Sequence, residues 1–491
     1  MGIIQKQALR TTLINFFGAA FGGFTRAVMP LFISPTQIGL LGLLDSISGI
    51  FVTIFSMGYN QILVKIFPKY RNDENGHHGF LLFGFFLSLI GIAISFLIFY
   101  IFEDAFLTKE KDVELYNRFA LLIFPMIFFR IIFFNIDGYA RMLFNTVIGV
   151  FLETFINKVI VAIILISYAL AWMNFDQLVY LYAFSFCIPG LLVLVFSFQK
   201  TTKITLPKKV LFETKQRKDI YEYILFGLLM GASASIVIYI DSLMIVKMLS
   251  LEMAGYYSIF FVAARFIIIP ANGINRIAQV VLAESWEKND TKNIQEVYEK
   301  SSLNQLLIGA YLLGVGWACL DTALSLSPKF AEYIPYKYVF LFLGIGLLIE
   351  MGTGVNTSII STSKKYKFNT YFNITLAILV IVLNYFLIKE LQLVGAAMAS
   401  MLAMTIVNFL RWYFLYRTFQ LQPFNSKFLK ALILAIAFLL LCHFVTYDAN
   451  PFLKLALNFL SLTIIFWGLV VGLKLSPDVN KWLMKMKTKF F

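Results

Sequence analysis

Gly79-Phe-Leu-Leu-Phe-Gly-Phe-Phe-Leu-Ser-Leu-Ile-Gly-Ile-Ala-Ile-Ser-Phe-Leu-Ile-Phe-Tyr-Ile-Phe102 contains no charged residue. A bilayer core about 30 Å thick takes about 20 apolar residues as a helix, so this stretch is long enough to cross it. The rest of the 491 residues repeats the pattern: 60% of the chain is hydrophobic and 14% is charged. A soluble domain is about 45–50% apolar and about 25% charged. A soluble globular chain, a disordered chain and a fibrous one are therefore excluded.

Working outward, fourteen spans are expected, near 9–32, 38–66, 79–102, 115–137, 145–171, 177–198, 220–249, 254–282, 303–325, 335–360, 368–388, 393–416, 428–446 and 452–473. The first apolar run lacks an A-x-A-type cleavage site and ends at Arg26–Pro30, so it reads as a span and not a signal peptide. The connections alternate in charge. Lys6 and Arg10, Lys69 and Arg71, Arg141, the 199–219 and 284–300 segments, Lys364 to Lys367, Arg417 with Lys427, and the tail after 474 fall on one side. The other connections are short and poor in Lys and Arg; Glu103–Glu114 is rich in acids. The positive-inside rule puts the basic set, and both termini, in the cytoplasm. Most of the net charge of +14 is this topology signal, which leaves no case for nucleic-acid binding.

Residues 31–66 and 247–282 resemble each other at an offset of 216: Ile33-Ser34 and Gly39-Leu40 match Leu249-Ser250 and Gly255-Tyr256. Each copy would begin a six-helix unit. Six is even, so the units are parallel repeats about an axis along the membrane normal. The expected organisation is an N-terminal lobe (1–198), a basic cytoplasmic linker (199–219), a C-terminal lobe (220–418), two extra helices (419–475) and a basic interfacial tail (476–491). The fold class is all-α and polytopic, with about fourteen transmembrane helices.

The stretches Ser34-Pro-Thr-Gln-Ile-Gly39-Leu, Phe55-Ser-Met-Gly58-Tyr and Lys65-Ile-Phe-Pro68-Lys-Tyr70 resemble the first hairpin of polysaccharide-type flippases. Ile240-Asp241-Ser-Leu-Met, Ala254-Gly255-Tyr-Tyr-Ser258 and Leu393-Val-Gly395-Ala396-Ala397-Met-Ala399 extend the likeness through the second half. The chain thus resembles the Wzx-like oligosaccharide flippases of the multidrug/oligosaccharidyl-lipid/polysaccharide exporter superfamily. The resemblance implies a V-shaped bundle like that of the multidrug (MATE) exporters. It also implies a cavity lined by helices 1, 2, 7 and 8, and a lateral groove for a lipid tail at the last two helices. The cargo it implies is a polyprenyl-diphosphate-linked oligosaccharide, moved to the outer leaflet of the bacterial cytoplasmic membrane for surface polysaccharide assembly. Membrane lipids and other polysaccharide-assembly membrane proteins are the implied partners.

An ionisable side chain at the bilayer centre costs about 2.5–3.5 kcal/mol on insertion scales, so it must face protein, water or another charge. Arg26 lies about 9 Å and Asp45 about 10 Å from the outer end of their spans at 1.5 Å per residue. In the second repeat the order is reversed: Asp241 comes first and Arg265 follows. These residues read either as ion pairs fastening hairpins or as a charged lumen for an anionic headgroup. Arg265, Asn272, Arg276 and Gln279 recur at helical spacing on one face of span 8, with Pro270 and Gly273 placed to bend it. Family members that flip lipid-linked peptidoglycan precursors rely on arginines of helices 1 and 8, and Arg26 and Arg265 occupy comparable places.

Glu153, Asn157 and Lys158 cluster in span 5, with Glu153 and Asn157 one turn apart. Arg130 and Asp137 share a face of span 4. Glu350 precedes Gly352-Thr-Gly354-Val-Asn356, a loosened helix whose carbonyls could line a cavity. Glu153, Lys158, Glu350 and Arg130 are the candidates for the lumen or for a coupling ion, H+ or Na+.

No G-x-x-x-x-G-K-[ST] loop, H-E-x-x-H or C-x-x-C occurs, so no ATP hydrolysis, metal site or cofactor is expected. His77-His78 reads as solvated in a cytoplasmic turn. The chain reads as a transporter and not an enzyme. The alternatives are a lipid-linked peptidoglycan precursor flippase, a drug/cation antiporter of the same superfamily, and a membrane-embedded glycosyltransferase or polymerase. The short outer loops argue against the last, and the two extra spans and many arginines against the antiporter.

Overall fold

The computed structural model describes residues 3–102, 110–143, 147–200, 203–207, 214–445, 447–477 and Asn480. The acidic segment 103–109, residues 208–213 of the linker and the tail from 481 lie outside the described residues. The described residues are helical, with no strand among them. The longer helices are α1 (Ile3–Val28), α2 (Pro35–Phe55), α3 (Phe80–Phe102), α4 (Ile123–Met142), α5 (Asn157–Ala169), α6 (Phe175–Ser185), α7 (Cys187–Lys200) and α8 (Thr214–Met248). They continue as α9 (Leu251–Arg265), α10 (Ile269–Glu287), α11 (Thr291–Leu324), α12 (Tyr338–Gly352), α13 (Asn356–Thr362), α14 (Lys367–Phe419), α15 (Ser426–Phe444) and α16 (Pro451–Gly472). The chain divides into two compact units, Met1–Ser258 and Ile259–Phe491.

Local chemistry sets the helix starts. Ser34 accepts the Gln37 backbone N–H at 3.3 Å, and the Gln37 side chain accepts that of Ser34 at 3.0 Å, with Pro35 at the first helical position. This capping box satisfies two otherwise orphaned donors of α2. Asn174 and Gln177 do the same for α6 at 2.9 Å each. Asn425 and Asn450 cap α15 and α16.

Among the described residues, nine helical runs are long and apolar enough to cross a membrane, or twelve if each of three bent pairs is one span. The expectation of fourteen differs at two places. Helix α1 is not among the nine. Helix α14 counts once there, yet its 53 residues would be about 80 Å long if straight. It folds back at Gln392, where φ is +51°. Gly395 then lies against the Leu387 carbonyl, and the Phe368 ring stacks on Phe414 at 4.6 Å. Its two limbs are therefore antiparallel helices.

In the first unit α2 packs along α8 through small residues. The Thr53 and Ser235 hydroxyls hydrogen-bond, and Gly231 lies on the Thr53 carbonyl. The expected span 38–66 is not one helix. It breaks at Ser56–Gly58, where Met57 and Gly58 take φ of 56° and 61° and Gly58 meets the backbone of Tyr223 and Gly227. At the other end Gly39 abuts the Leu251 carbonyl and Gly255 abuts that of Pro35. Both equivalent pairs, 35 with 251 and 39 with 255, differ by 216. Residue i thus touches the equivalent of j, and j the equivalent of i, as in a two-fold contact. A Cβ at either glycine would strike a backbone oxygen.

His77 is not solvated. It is 4% exposed, its ring packs 5.6 Å from Phe67, and its Nδ1 accepts the Asn72 N–H at 3.2 Å. The turn folds the ring under itself.

In the second unit Leu282, Ile294, Tyr298, Val355, Ile359 and Leu415 form a buried cluster. Trp286 closes it by donating to the Ile359 carbonyl at 3.2 Å.

Candidate functional site

The charged residues of the first unit converge on Asp45. Helix α1 crosses close to the helix of span 5, with Gly18 against the Thr154 carbonyl and Gly22 along the Lys158 side chain. That crossing sets Arg26, in the last turn of α1, opposite Asp45 of α2. Arg26 Nη2 reaches Asp45 Oδ2 at 3.2 Å, and Arg130 Nη1 of α4 reaches Asp45 Oδ1 at 2.9 Å. Arg130 Nη1 also donates to Ser48 Oγ at 2.5 Å, and its guanidinium lies 4.9 Å over the Phe186 ring. The Arg26 side chain is 34% exposed, Arg130 20% and Asp45 17%. Within a membrane span, an arginine open to that extent must face water or protein and not lipid tails.

Lys158 lies within electrostatic range of Asp45 and both arginines, and Tyr182 and Tyr239 border the cluster. Glu153 is exposed nearby and acts on Arg130 and Lys158. Three cations, Arg26, Arg130 and Lys158, thus meet two carboxylates, Asp45 and Glu153, and one positive charge is left over. Such a cluster attracts an anion.

The Arg26–Asp45 pair follows from the sequence; the Arg130 contact, 85 residues away along the chain, does not. Arg130 and Asp137 share a face of the unbroken helix α4 but take different partners: Asp137 pairs with Arg141 at 3.1 Å. Glu153 and Asn157, expected one turn apart on one face, meet different surroundings. Phe151–Ile156 is a π-helical turn, which resets the register. Glu153 is left exposed, whereas Asn157 is 3% exposed and donates to the Ser185 carbonyl at 2.9 Å.

Asp241 is 3% exposed and accepts the Tyr257 hydroxyl at 2.6 Å. Arg265 ends α9 in the second unit, exposed, with its guanidinium 5.6 Å over the Phe261 ring. The chain bends by 50° between α9 and α10, just before Pro270. Asn272, Arg276 and Gln279 therefore form an exposed face of α10 alone, and Arg265 stands across the bend from them.

Glu350 lies one turn from the end of α12, within electrostatic range of Arg411 and Arg265. The expected break follows it, with Gly354 at φ +62°. Its polar groups do not line a cavity. Ser302 Oγ donates to the Gly352 carbonyl. Asn356 Nδ2 and Thr353 Oγ1 donate to Asn408 Oδ1 at 3.0 and 3.1 Å, and all three residues are buried. Arg411, which the sequence reading did not single out, is 5% exposed and donates to Asn373 Oδ1 at 2.8 Å.

Comparison with known proteins places this geometry. Residues 4–283 match the family model described as "Polysaccharide biosynthesis protein". An uncharacterized membrane protein of Methanocaldococcus jannaschii is 20% identical over 460 residues, covering 88% of each chain. Among solved structures, the lipid II flippase MurJ in an inward closed conformation superposes with a TM-score of 0.71 at 13% identity, over 93% of this chain and 98% of that one. An inward-facing multidrug resistance MATE family transporter of the MOP superfamily gives 0.63 at 13% identity, over 87% and 98%. A MOP superfamily transporter from Pyrococcus furiosus gives 0.53 at 13%, over 88% and 96%. The fold is that of the MurJ and MATE transporters, and the chain is a multi-pass membrane protein.

Proposed function

Because the chain belongs to the polysaccharide biosynthesis protein family, we propose that it is a flippase for a polyprenyl-diphosphate-linked oligosaccharide. It carries this lipid by alternating access from the inner to the outer leaflet of the cytoplasmic membrane, with both termini in the cytoplasm. The observation that carries this reading is the net-positive cluster of Arg26, Arg130 and Lys158 around Asp45, partly open within the span. Arginine forks match phosphate oxygens, and charge-assisted bonds to them are about twice as strong as neutral ones. Arg265 and Arg276, with Asn272, offer a second cationic surface in the other unit, suited to the same anion class. Glu350 beside Arg411 supplies a carboxylate that could take up a coupling proton.

Depleting the protein tests the reading. Lipid-linked glycan should accumulate on the cytoplasmic leaflet while the enzymes that assemble it stay active. An unchanged leaflet distribution, or a purified protein that itself extends a glycan, overturns it.

A further inference from the structure

The two oxygens of the Asp45 carboxylate are divided between two arginines, Oδ2 to Arg26 and Oδ1 to Arg130. Ser48 fixes Arg130 from the side, and Phe186 backs its guanidinium. A carboxylate bridging two guanidinium groups stands where a ligand with two adjacent anionic groups would stand. We propose that Asp45 is the specificity-determining residue of this site: an internal counter-ion that admits a diphosphate and turns away lipids with a single phosphate. The proposal rests on the flippase reading above.

The argument is one of exchange. A phospholipid headgroup with one phosphodiester brings one negative charge. To reach the arginines it must displace Asp45, which substitutes one anion for another and strands a carboxylate among apolar helices. Little is gained against that desolvation cost. A diphosphate diester carries two negative charges on neighbouring phosphoryl groups, one for each arginine. It gains a second charge-assisted contact that the carboxylate cannot match. Discrimination arises from a penalty placed on the wrong ligand, which is how specificity against abundant competitors is commonly built. A protein embedded in bilayer lipids needs that penalty, because single-phosphate headgroups greatly outnumber its cargo. After release, Asp45 closes back onto the arginines.

The test uses the purified full chain in nanodiscs of phosphatidylcholine. The probes are farnesyl methyl diphosphate, with two negative charges, and farnesyl methyl phosphate, with one. Wild type should bind the diphosphate more tightly by about tenfold or more, roughly one such step in free energy. Asp45→Asn should tighten binding of the monophosphate most, so that the ratio collapses toward unity. Asp45→Glu, which keeps the charge, should preserve the ratio. A second measurement needs no variant: replacing a third of the phosphatidylcholine by phosphatidylglycerol should leave diphosphate affinity of the wild type within about twofold. The proposal is overturned if Asp45→Asn keeps the wild-type ratio, if it fails to fold where Asp45→Glu folds, or if phosphatidylglycerol competes. In those cases wild type still binds the diphosphate and the flippase reading stands. A wild type that binds neither probe overturns both.

Discussion

Arg130 holds Asp45 more firmly than Arg26 does: 2.9 Å against 3.2 Å, with a further bond to Ser48 and a less exposed side chain. The two arginines share a carboxylate but not its support. Arg130 joins α4 to α2, so it braces the frame as well as facing the anion. Arg26, at the end of α1, is the more open partner and the one better placed to meet cargo.

That difference predicts divergent variants. Removing one partner of a buried pair costs about 3–5 kcal/mol, so Arg130→Ala should lower the melting temperature markedly and reduce the amount of folded protein. Arg26→Ala should reach the membrane near wild-type level and lose transport. Thermal stability by fluorescence-detected size exclusion, together with complementation, separates the two. Equal melting temperatures for both variants would contradict the assignment.

The crossing of Gly39 with Gly255 gives a second expectation. Each lies against a backbone carbonyl of the other hairpin, so a single methyl at either position forces the same two helices apart. Gly39→Ala and Gly255→Ala should destabilise by similar amounts. The double variant should cost less than the sum, because one displacement accommodates both methyls, whereas independent sites add to within about 0.5 kcal/mol. A full double-variant cycle of melting temperatures decides the point, and strict additivity would refute the reciprocal contact.

Topology can be checked directly. The charge alternation places reporters fused at Lys215 and Lys365 in the cytoplasm and those at Glu110 and Asp448 outside. The reversal at Gln392 adds that a reporter there should be external, since α14 turns back on itself. A cytoplasmic signal at Gln392 would mean that the helix crosses once.

Much of this fold was legible because bilayer thickness converts directly into the length of an apolar run. The 216-residue offset was legible because the paired glycines sit where two backbones touch, and no larger residue fits there. The site was only half legible. Arg26 and Asp45 belong to one hairpin, so their proximity follows from a short turn. Arg130 comes from a helix 85 residues away, and no local spacing encodes that approach. The spacing of Glu153 and Asn157 does not distinguish the exposed acid from the buried amide that donates to Ser185, and a 3.6-residue repeat does not encode the π-helical turn at Phe151–Ile156. The polar break after Glu350 looked like a cavity lining because glycine density marks a break but does not say whether Ser302 and Asn408 already fill it.

Arg411 and Arg276 provide the last prediction: both are arginines within expected spans, but the spacing puts only Arg276 on a polar helix face. Arg411 is 5% exposed and donates to Asn373, so its charge is committed to the interior of α14. Arg276 is exposed on α10 beside Asn272. Arg411→Ala leaves the Asn373 side-chain carbonyl without that donor and takes from Glu350 one of two neighbouring cations, Arg411 and Arg265. It should deplete folded protein severely, and whatever survives should transport at a near-normal rate per molecule. Arg276→Ala removes no buried partner, so its level should be near wild type while transport per molecule falls. Arg276→Lys should restore part of that loss, because lysine keeps the charge but not the bidentate fork. Quantifying protein by immunoblot alongside flipped lipid separates the two patterns. Normal levels of Arg411→Ala with lost transport would move Arg411 from the frame into the transport pathway.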